Sequence, residues 1–276
     1  MTMIKTDVFI RIAGFLGTFG LLAIWEAYAP RRALTNSKSR RWVANLGVVV
    51  MDALLIRILF TTGAVGAALM AAQHGWGLLH QWSGPAWLEI ILAVIALDLA
   101  LYLQHVLFHA VPILWRLHMM HHADLDVDVT TGVRFHPVEV ALSMLIKIGV
   151  IVLIGASPTA VVIFEVLLNA TSMFNHSNVR MPTCLETAIR SLIVTPDMHR
   201  IHHSVHVRET NSNFGFNLSC WDRLLGTYRA EPQDGQTAMS LGLEQFRDPD
   251  PLTLPGILVM PFVGSPGRYP LSGHEK

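Results

Sequence analysis

Five long runs of apolar residues dominate this chain, at about 8–28, 45–72, 87–107, 140–156 and 159–174. A helix needs roughly 20 apolar residues to cross a bilayer, and the first three runs reach that length. The last two are shorter and are separated by Gly155-Ala156-Ser157-Pro158. That break predicts a tight helical hairpin that crosses or dips into the membrane, because Pro158 cannot continue the helix before it. After His176 the chain turns polar. Asn211-Ser212-Asn213-Phe214-Gly215 reads as a loop, and from Arg229 onward frequent Pro and Gly predict little regular structure. Residues 252–262 are apolar but hold Pro255 and Pro261. They are expected to lie against the membrane or the protein body without crossing.

Composition strengthens the membrane reading. Hydrophobic residues make up 52% of the chain and charged residues only 14%, against roughly 25% charged in soluble domains; mean hydropathy is +0.44. The first run has some features of a signal peptide, with Lys5 before it and Ala27-Tyr28-Ala29 near its end. Its length and its Asp7 and Arg11 identify it as a retained transmembrane helix. Glu26, Asp52, Arg57, Asp98, Lys147 and Glu165 interrupt the apolar runs. Such groups usually face a bundle interior or a cavity; for Asp52, Arg57 and Lys147 mutual pairing or snorkelling is the expectation. Net charge is zero, which gives no electrostatic footing for nucleic acid. The two cysteines, Cys184 and Cys220, have no CxxC spacing and are expected to be reduced.

Basic residues set an orientation. Arg31, Arg32, Lys38, Arg40 and Arg41 fall in one short loop, whereas 73–84 holds no Lys or Arg. The positive-inside rule places the first loop in the cytoplasm. Counting crossings puts 108–139 and everything after Ser177 on that same side. The expected fold class is an all-α integral membrane helical bundle with a cytoplasmic histidine-rich cap, in an inner or plasma membrane. It divides into N-terminal transmembrane helices (1–97), a catalytic region that includes the hairpin (98–228) and a C-terminal tail (229–276).

That cytoplasmic side collects most of the fourteen histidines. His105 and His109 form HxxxH. His118, His121 and His122 form HxxHH, and His199, His202 and His203 form it again. His176 stands alone in Asn175-His176-Ser177-Asn178, and His136 lies in Arg134-Phe135-His136-Pro137. On a helix, positions i, i+3 and i+4 share a face, so each HxxHH offers up to three imidazoles in one direction. Imidazole suits iron, copper, zinc and nickel. Eight or nine clustered histidines exceed what one ion needs, so two ions sharing them is the economical reading. His74, His80, His206 and His274 read as ordinary surface or core residues. Asp98, Glu139 and Asp197 lie near the histidines in sequence. Each is a candidate to orient a ligand through its second N–H, or equally a helix cap or salt-bridge partner.

The order HxxxH, HxxHH, HxxHH resembles the fatty acid hydroxylase and sterol desaturase superfamily, and more than the histidines matches. Leu114-Trp115-Arg116 precedes the first HxxHH, and Arg134-Phe135-His136-Pro137-Val138-Glu139 is similar to the family's RxHPxE. Thr195 to His203, Asn213-Phe214-Gly215 and Trp221 to Tyr228 also fit. The resemblance covers roughly 98–228. It implies two iron ions, replaceable by zinc, held by His105, His109, His118, His121, His122, His176, His199, His202 and His203, with His136 as a tenth candidate. It also implies dioxygen as co-substrate and an external electron donor, a reductase with a ferredoxin- or cytochrome-type carrier. The implied reaction is hydroxylation or desaturation of a membrane lipid, whether fatty acyl, sterol or related isoprenoid. One departure is Ser172, at a position where some relatives carry a further ligand.

Two other classes remain open from the residues alone. A membrane zinc hydrolase would want a general base beside its ligands, whereas Met119, Met120, Arg200 and Ile201 fill the interiors of the boxes. A non-catalytic haem or metal-transport protein would need only one or two axial histidines, or polar groups near the bilayer midplane.

Overall fold

The computed structural model describes residues 2–271. Among them every regular element is helical, apart from three isolated β-bridges. Seven helices build the body: α1 (Thr2–Tyr28), α2 (Lys38–Leu59), α3 (Gly63–His74), α4 (Ala86–Ala110), α5 (Pro112–His122), α6 (Pro137–Ile154) and α7 (Pro158–His176). Shorter helices follow: α8 (Thr183–Arg190), α9 (Pro196–His202), α10 (Val207–Thr210), α11 (Cys220–Leu224), α12 (Gly235–Ala238) and α13 (Leu254–Val263).

Four stretches are long and apolar enough to cross a membrane: Val8–Tyr28, Lys38–His74, Ala86–Ala110 and Pro137–Ile154. Their outer faces carry large apolar side chains that no protein atom covers; Phe9, Leu21 and Ile58 are each more than 70% exposed. A soluble monomer rarely presents so much contiguous apolar surface. Inside, a cluster around Ala68, Leu97, Ile151, Ala160 and Phe164 joins α3, α4, α6 and α7. A second cluster around Leu22 and Met173 ties α1 to α7. The first helix thus packs against the bundle.

The second apolar run differs from expectation. It begins earlier, at Lys38, where the Ser37 side chain accepts from the Arg40 N–H, and it breaks into α2 and α3. Phe60 leaves helical geometry at φ −126°, ψ 72°, and Gly63 takes φ +59°. Unbroken, 37 residues would run roughly 55 Å, far beyond a hydrocarbon core of about 30 Å.

The hairpin forms as its sequence predicts. Gly155 ends α6 in the left-handed region at φ +71°, Pro158 opens α7, and the Ser157 hydroxyl accepts from Ala160 N–H at 3.3 Å. Glu89 of α4 locks the turn, accepting from Ser157 N–H at 3.1 Å and from its hydroxyl at 3.0 Å. α7 then returns the chain to the end at which α6 began. The C-terminal segment departs from expectation by forming α13. That helix does not cross the bundle; it packs on α2 and α5 in a cluster with Met119, Leu252, Ile257 and Met260.

The corner between α4 and α5 positions the chemistry. Val111 alone separates the two helices, in an extended conformation, and Pro112 opens α5. His105 and His109 at the end of α4 are thereby folded over onto His118 and His122 of α5.

Candidate metal centre

Nine histidines gather at one end of the bundle in two groups. His105, His109, His118, His122 and His202 form the first, and His121, His176, His199 and His203 the second; within each group one ligand atom per residue lies within 4.8 Å of the others. All nine are buried. The two HxxHH boxes do not each serve one centre, as a shared helical face would suggest. His118 and His122, at i and i+4, enter the first group while His121, at i+3, enters the second. The other box does the reverse: His199 and His203 enter the second group and His202 the first. Successive residues on a helix turn by about 100°, so i+3 and i+4 diverge by that angle and can face different points. Each box therefore bridges both groups.

Hydrogen bonds fix which nitrogen faces inward. The Nδ1–H of His105 donates to the Phe214 carbonyl at 2.7 Å, and that of His202 to the Ser212 carbonyl at 2.7 Å. In the second group His121 donates to the Arg134 carbonyl at 3.2 Å and His176 to the Ser172 carbonyl at 2.7 Å. A carbonyl only accepts, so each Nδ1 carries the proton and each Nε2 a lone pair. Yet Nε2 of His105 lies 3.1 Å from that of His202, and Nε2 of His176 lies 3.0 Å from that of His121. Lone pairs facing each other at that distance repel unless a cation sits between them. Further buried nitrogens have no protein partner, among them His109 Nε2 and both nitrogens of His122. Buried polar atoms rarely go unpaired, and two bound metal ions answer this set. The residues present fit a metal pair.

The spacing also constrains geometry. His105 Nε2 is 3.1 Å from both His118 and His202 Nε2, and His176 Nε2 is 3.1 Å from both His199 and His203 Nε2. Donors this close together could share one ion. Burial pushes the His118 imidazole down to about 3, and holds His121, His122, His199, His202 and His203 well below the ordinary range. The ligand form, neutral imidazole, is therefore the one present at neutral pH.

The remaining candidates separate. Glu139 Oε1 lies 2.6 Å from His118 Nδ1, placed to orient that ligand and raise its basicity. Asp98 instead accepts from the Trp221 indole at 2.8 Å and Leu218 N–H at 3.2 Å. Asp197 pairs with Arg31 at 3.0 Å and Arg200 at 2.5 Å. His136 stands outside both groups: its Nδ1 accepts from Val138 N–H at 3.2 Å as the cap of α6, and its Nε2 bonds the Leu258 carbonyl at 3.1 Å. The hydroxyl of Ser172 donates to the Gly132 carbonyl at 2.6 Å, while its own carbonyl orients His176. His206 bonds Asp234 at 2.8 Å on the surface, His74 stacks on Trp76, and both cysteines are free. His274 lies outside the described residues.

Sequence reasoning missed the scaffold beneath the centre. The loop after the first HxxHH carries Asp124, Asp126 and Asp128. Arg41, counted above as a loop cation, is buried and bonds Asp124 at 2.7 and 2.8 Å and Asp128 at 2.7 Å, and it also reaches the Asp126 carbonyl. Burial pushes the Asp124 carboxyl up, but Arg41 outweighs it and the group sits well below the usual carboxylate range. Glu26 Oε1 ties this loop to the His176 segment, accepting from Val129 N–H at 2.8 Å and Asn178 N–H at 2.7 Å. Asn211, which bonds His109 Nδ1 at 3.1 Å, was likewise read only as loop. The alternating acids beside a histidine box were the available signal for the first of these.

Two substitutions probe the outer contacts. Glu139→Gln is expected to lower metal affinity about 10- to 100-fold, read by chelator competition, because a neutral amide accepts the His118 proton less strongly. Gly132→Ala would place a Cβ 2.4 Å from the Ser172 carbonyl oxygen, displacing the acceptor that aims His176. Metal loss from this variant, measured by mass spectrometry after mild chelation, is expected to exceed that of wild type.

A cavity of about 500 Å³ leads to the first group. Its walls come from α1, α2, α4, α6 and α7, and include Phe15, Ile56, Leu101, Phe135 and Phe164; His105, His118 and Glu139 close one end. Such a space fits an apolar chain or ring lying between the helices.

Comparison with known proteins agrees with this arrangement. Residues 90–227 match the family described as Fatty acid hydroxylase. The chain is 30% identical to ornithine lipid hydroxylase OlsE of Rhizobium tropici over 236 residues, covering 82% of this chain and 69% of that protein. It is 26% identical to alkylglycerol monooxygenase of Homo sapiens over 155 residues, 54% of this chain and 32% of that one. To cholesterol 25-hydroxylase of Rattus norvegicus it is 23% identical over 156 residues, 52% and 48% of the two chains. It thus spans less than half the length of the last two. No solved structure matches.

Proposed function

The chain belongs to the fatty acid hydroxylase family, and on that premise we propose that it is a membrane-embedded di-iron oxygenase that uses dioxygen to hydroxylate or desaturate a membrane lipid. The observation that carries this reading is the convergence of carbonyl-anchored imidazole lone pairs on two points, the first of them bordering a largely apolar cavity. The all-imidazole donor set suits iron as well as zinc, and the family places the chain among oxygenases. Five histidines would hold the first ion and four the second.

Bound iron would supply the activation of dioxygen. The protein's own residues do the rest. Phe108, Phe135, Phe164 and Phe216 line the cavity and keep water from the reacting carbon. His118 is held by Glu139 at the end of the cavity, so a C–H bond lodged there faces the first group. In hydroxylation one oxygen atom enters the lipid and the other leaves as water, with electrons drawn from an external reductase and carrier. The relatives' names span an aminoacyl lipid, an ether lipid and a sterol, so the substrate class is a lipid with an accessible aliphatic C–H. The positive-inside pattern puts the histidine cap in the cytoplasm, and the catalytic unit is residues 98–228.

The test supplies iron-loaded protein with membrane lipids, a chemical or enzymatic reductant and isotopically labelled dioxygen. Labelled oxygen in a lipid hydroxyl, or a dioxygen-dependent new alkene, is expected. Lipid cleavage that takes its oxygen from water would overturn the reading in favour of a hydrolase.

A further inference from the structure

Asp52 is the charged group in the cavity that the fold itself leaves without a use. It projects from α2 into the wall shared with His105, His118 and Glu139. Its Oδ1 is shut off from solvent and accepts no hydrogen bond. Other carboxylates in the bundle are matched. Glu165 accepts from Lys147 at 2.6 Å and Arg11 at 2.5 Å, Glu26 from two backbone N–H groups, and Glu139 meets His118. Pairing or snorkelling is the sequence expectation for Asp52 as well, and no described residue pairs with it.

An uncompensated carboxylate among membrane helices is costly, and such groups mark the pathway of a substrate or ion. Asp52 opens onto a space whose lining is mostly apolar and includes Ala53, Ile56, Leu97 and Leu101, which suits an apolar chain. The occupant that satisfies both walls is an amphiphile whose polar group carries a positive charge. A buried carboxyl with no cation beside it keeps its proton and gains little from a hydroxyl, whereas an ammonium donates to the ionised form and neutralises it. Glu139 Oε2, also without a partner, faces the same cavity.

We propose that Asp52 receives the ammonium group of an amine-bearing lipid, anchoring it with an aliphatic carbon toward His105 and His118. This deepens the lipid-oxygenase reading and rests on it for the fate of the bound lipid. It does not rest on it for the binding itself.

The experiment measures binding to detergent-purified, metal-loaded protein of ornithine lipid and of the same lipid with its amine acetylated. Wild type is expected to prefer the free amine by about tenfold or more, the range of a charge-assisted hydrogen bond. Asp52→Asn, close in shape and neutral, is expected to erase that preference while its metal content stays at the wild-type level. Equal binding of the two lipids by wild type would overturn the proposal without recourse to any variant, as would a preference that survives in Asp52→Asn. A turnover arm separates the two readings. Oxidation of a neutral alkylglycerol or sterol, with no binding of ornithine lipid, leaves the oxygenase standing and removes the Asp52 site. Amine-dependent binding with no dioxygen-dependent change in any lipid keeps the Asp52 site and removes the oxygenase.

Discussion

Replacing His176 with alanine is expected to cost the protein one metal ion and all of its lipid oxidation. His176 is the hub of the second group, with its Nε2 3.0 Å from that of His121 and 3.1 Å from those of His199 and His203. Its Nδ1–H is pinned to the Ser172 carbonyl one helical turn back, so the ring has one orientation. The first group makes no use of it. Bound metal should therefore fall by about half while the first ion stays, because ligand loss is local to the ion it serves. His121→Ala should behave in the same way, and His202→Ala should lower metal at the first group instead, each abolishing turnover. His74→Ala, at an exposed ring stacked on Trp76, should change neither property. Metal analysis of the four variants beside an oxidation assay checks the pattern; full activity in the His176 or His121 variant would refute the assigned ligands.

Arg41→Ala is expected to have the largest effect on stability, about 3–5 kcal/mol, the usual result of removing one partner of a buried ion pair. Its side chain is only 7% exposed, and the partners Asp124 and Asp128 are each 1% exposed. With the guanidinium gone, two carboxylates are left buried without compensation. The strain falls on the loop between α5 and α6. That loop holds Thr131, which bonds Asp124 at 2.8 Å, and leads to Arg134, whose carbonyl aims His121. Thermal unfolding in detergent should show the loss, and a double variant with Asp124→Asn should recover part of it. Arg41→Lys should not restore wild-type stability, since an ammonium cannot reproduce the forked pairing with Asp124. An unchanged melting temperature in Arg41→Ala would show that the network does not carry this loop.

The clustered histidines were legible in the sequence because imidazoles at i, i+3 and i+4 leave a plain signature, and the Gly155–Pro158 break announced the hairpin. How the boxes divide was not. Spacing says that His118, His121 and His122 lie on neighbouring faces, but the α4–α5 corner and the return of α7 decide which point each ring meets. The orienting acceptors were hidden for a different reason: the carbonyls of Phe214, Ser212, Arg134 and Ser172 are backbone atoms, which any residue type supplies. Arg41 misled because a basic residue next to a membrane run reads as a solvated topogenic charge, whereas its partners lie more than eighty positions away. The split of α2 from α3 was signalled only by Thr61-Thr62-Gly63, a break short enough to pass as part of one apolar run.

The central claim is two iron ions held by two histidine groups, and iron per chain measures it most directly. Detergent-purified protein, shown to be folded and never exposed to chelator, should carry about two irons by mass spectrometry, one for each group of donors. Folded protein with no metal above background would contradict the claim.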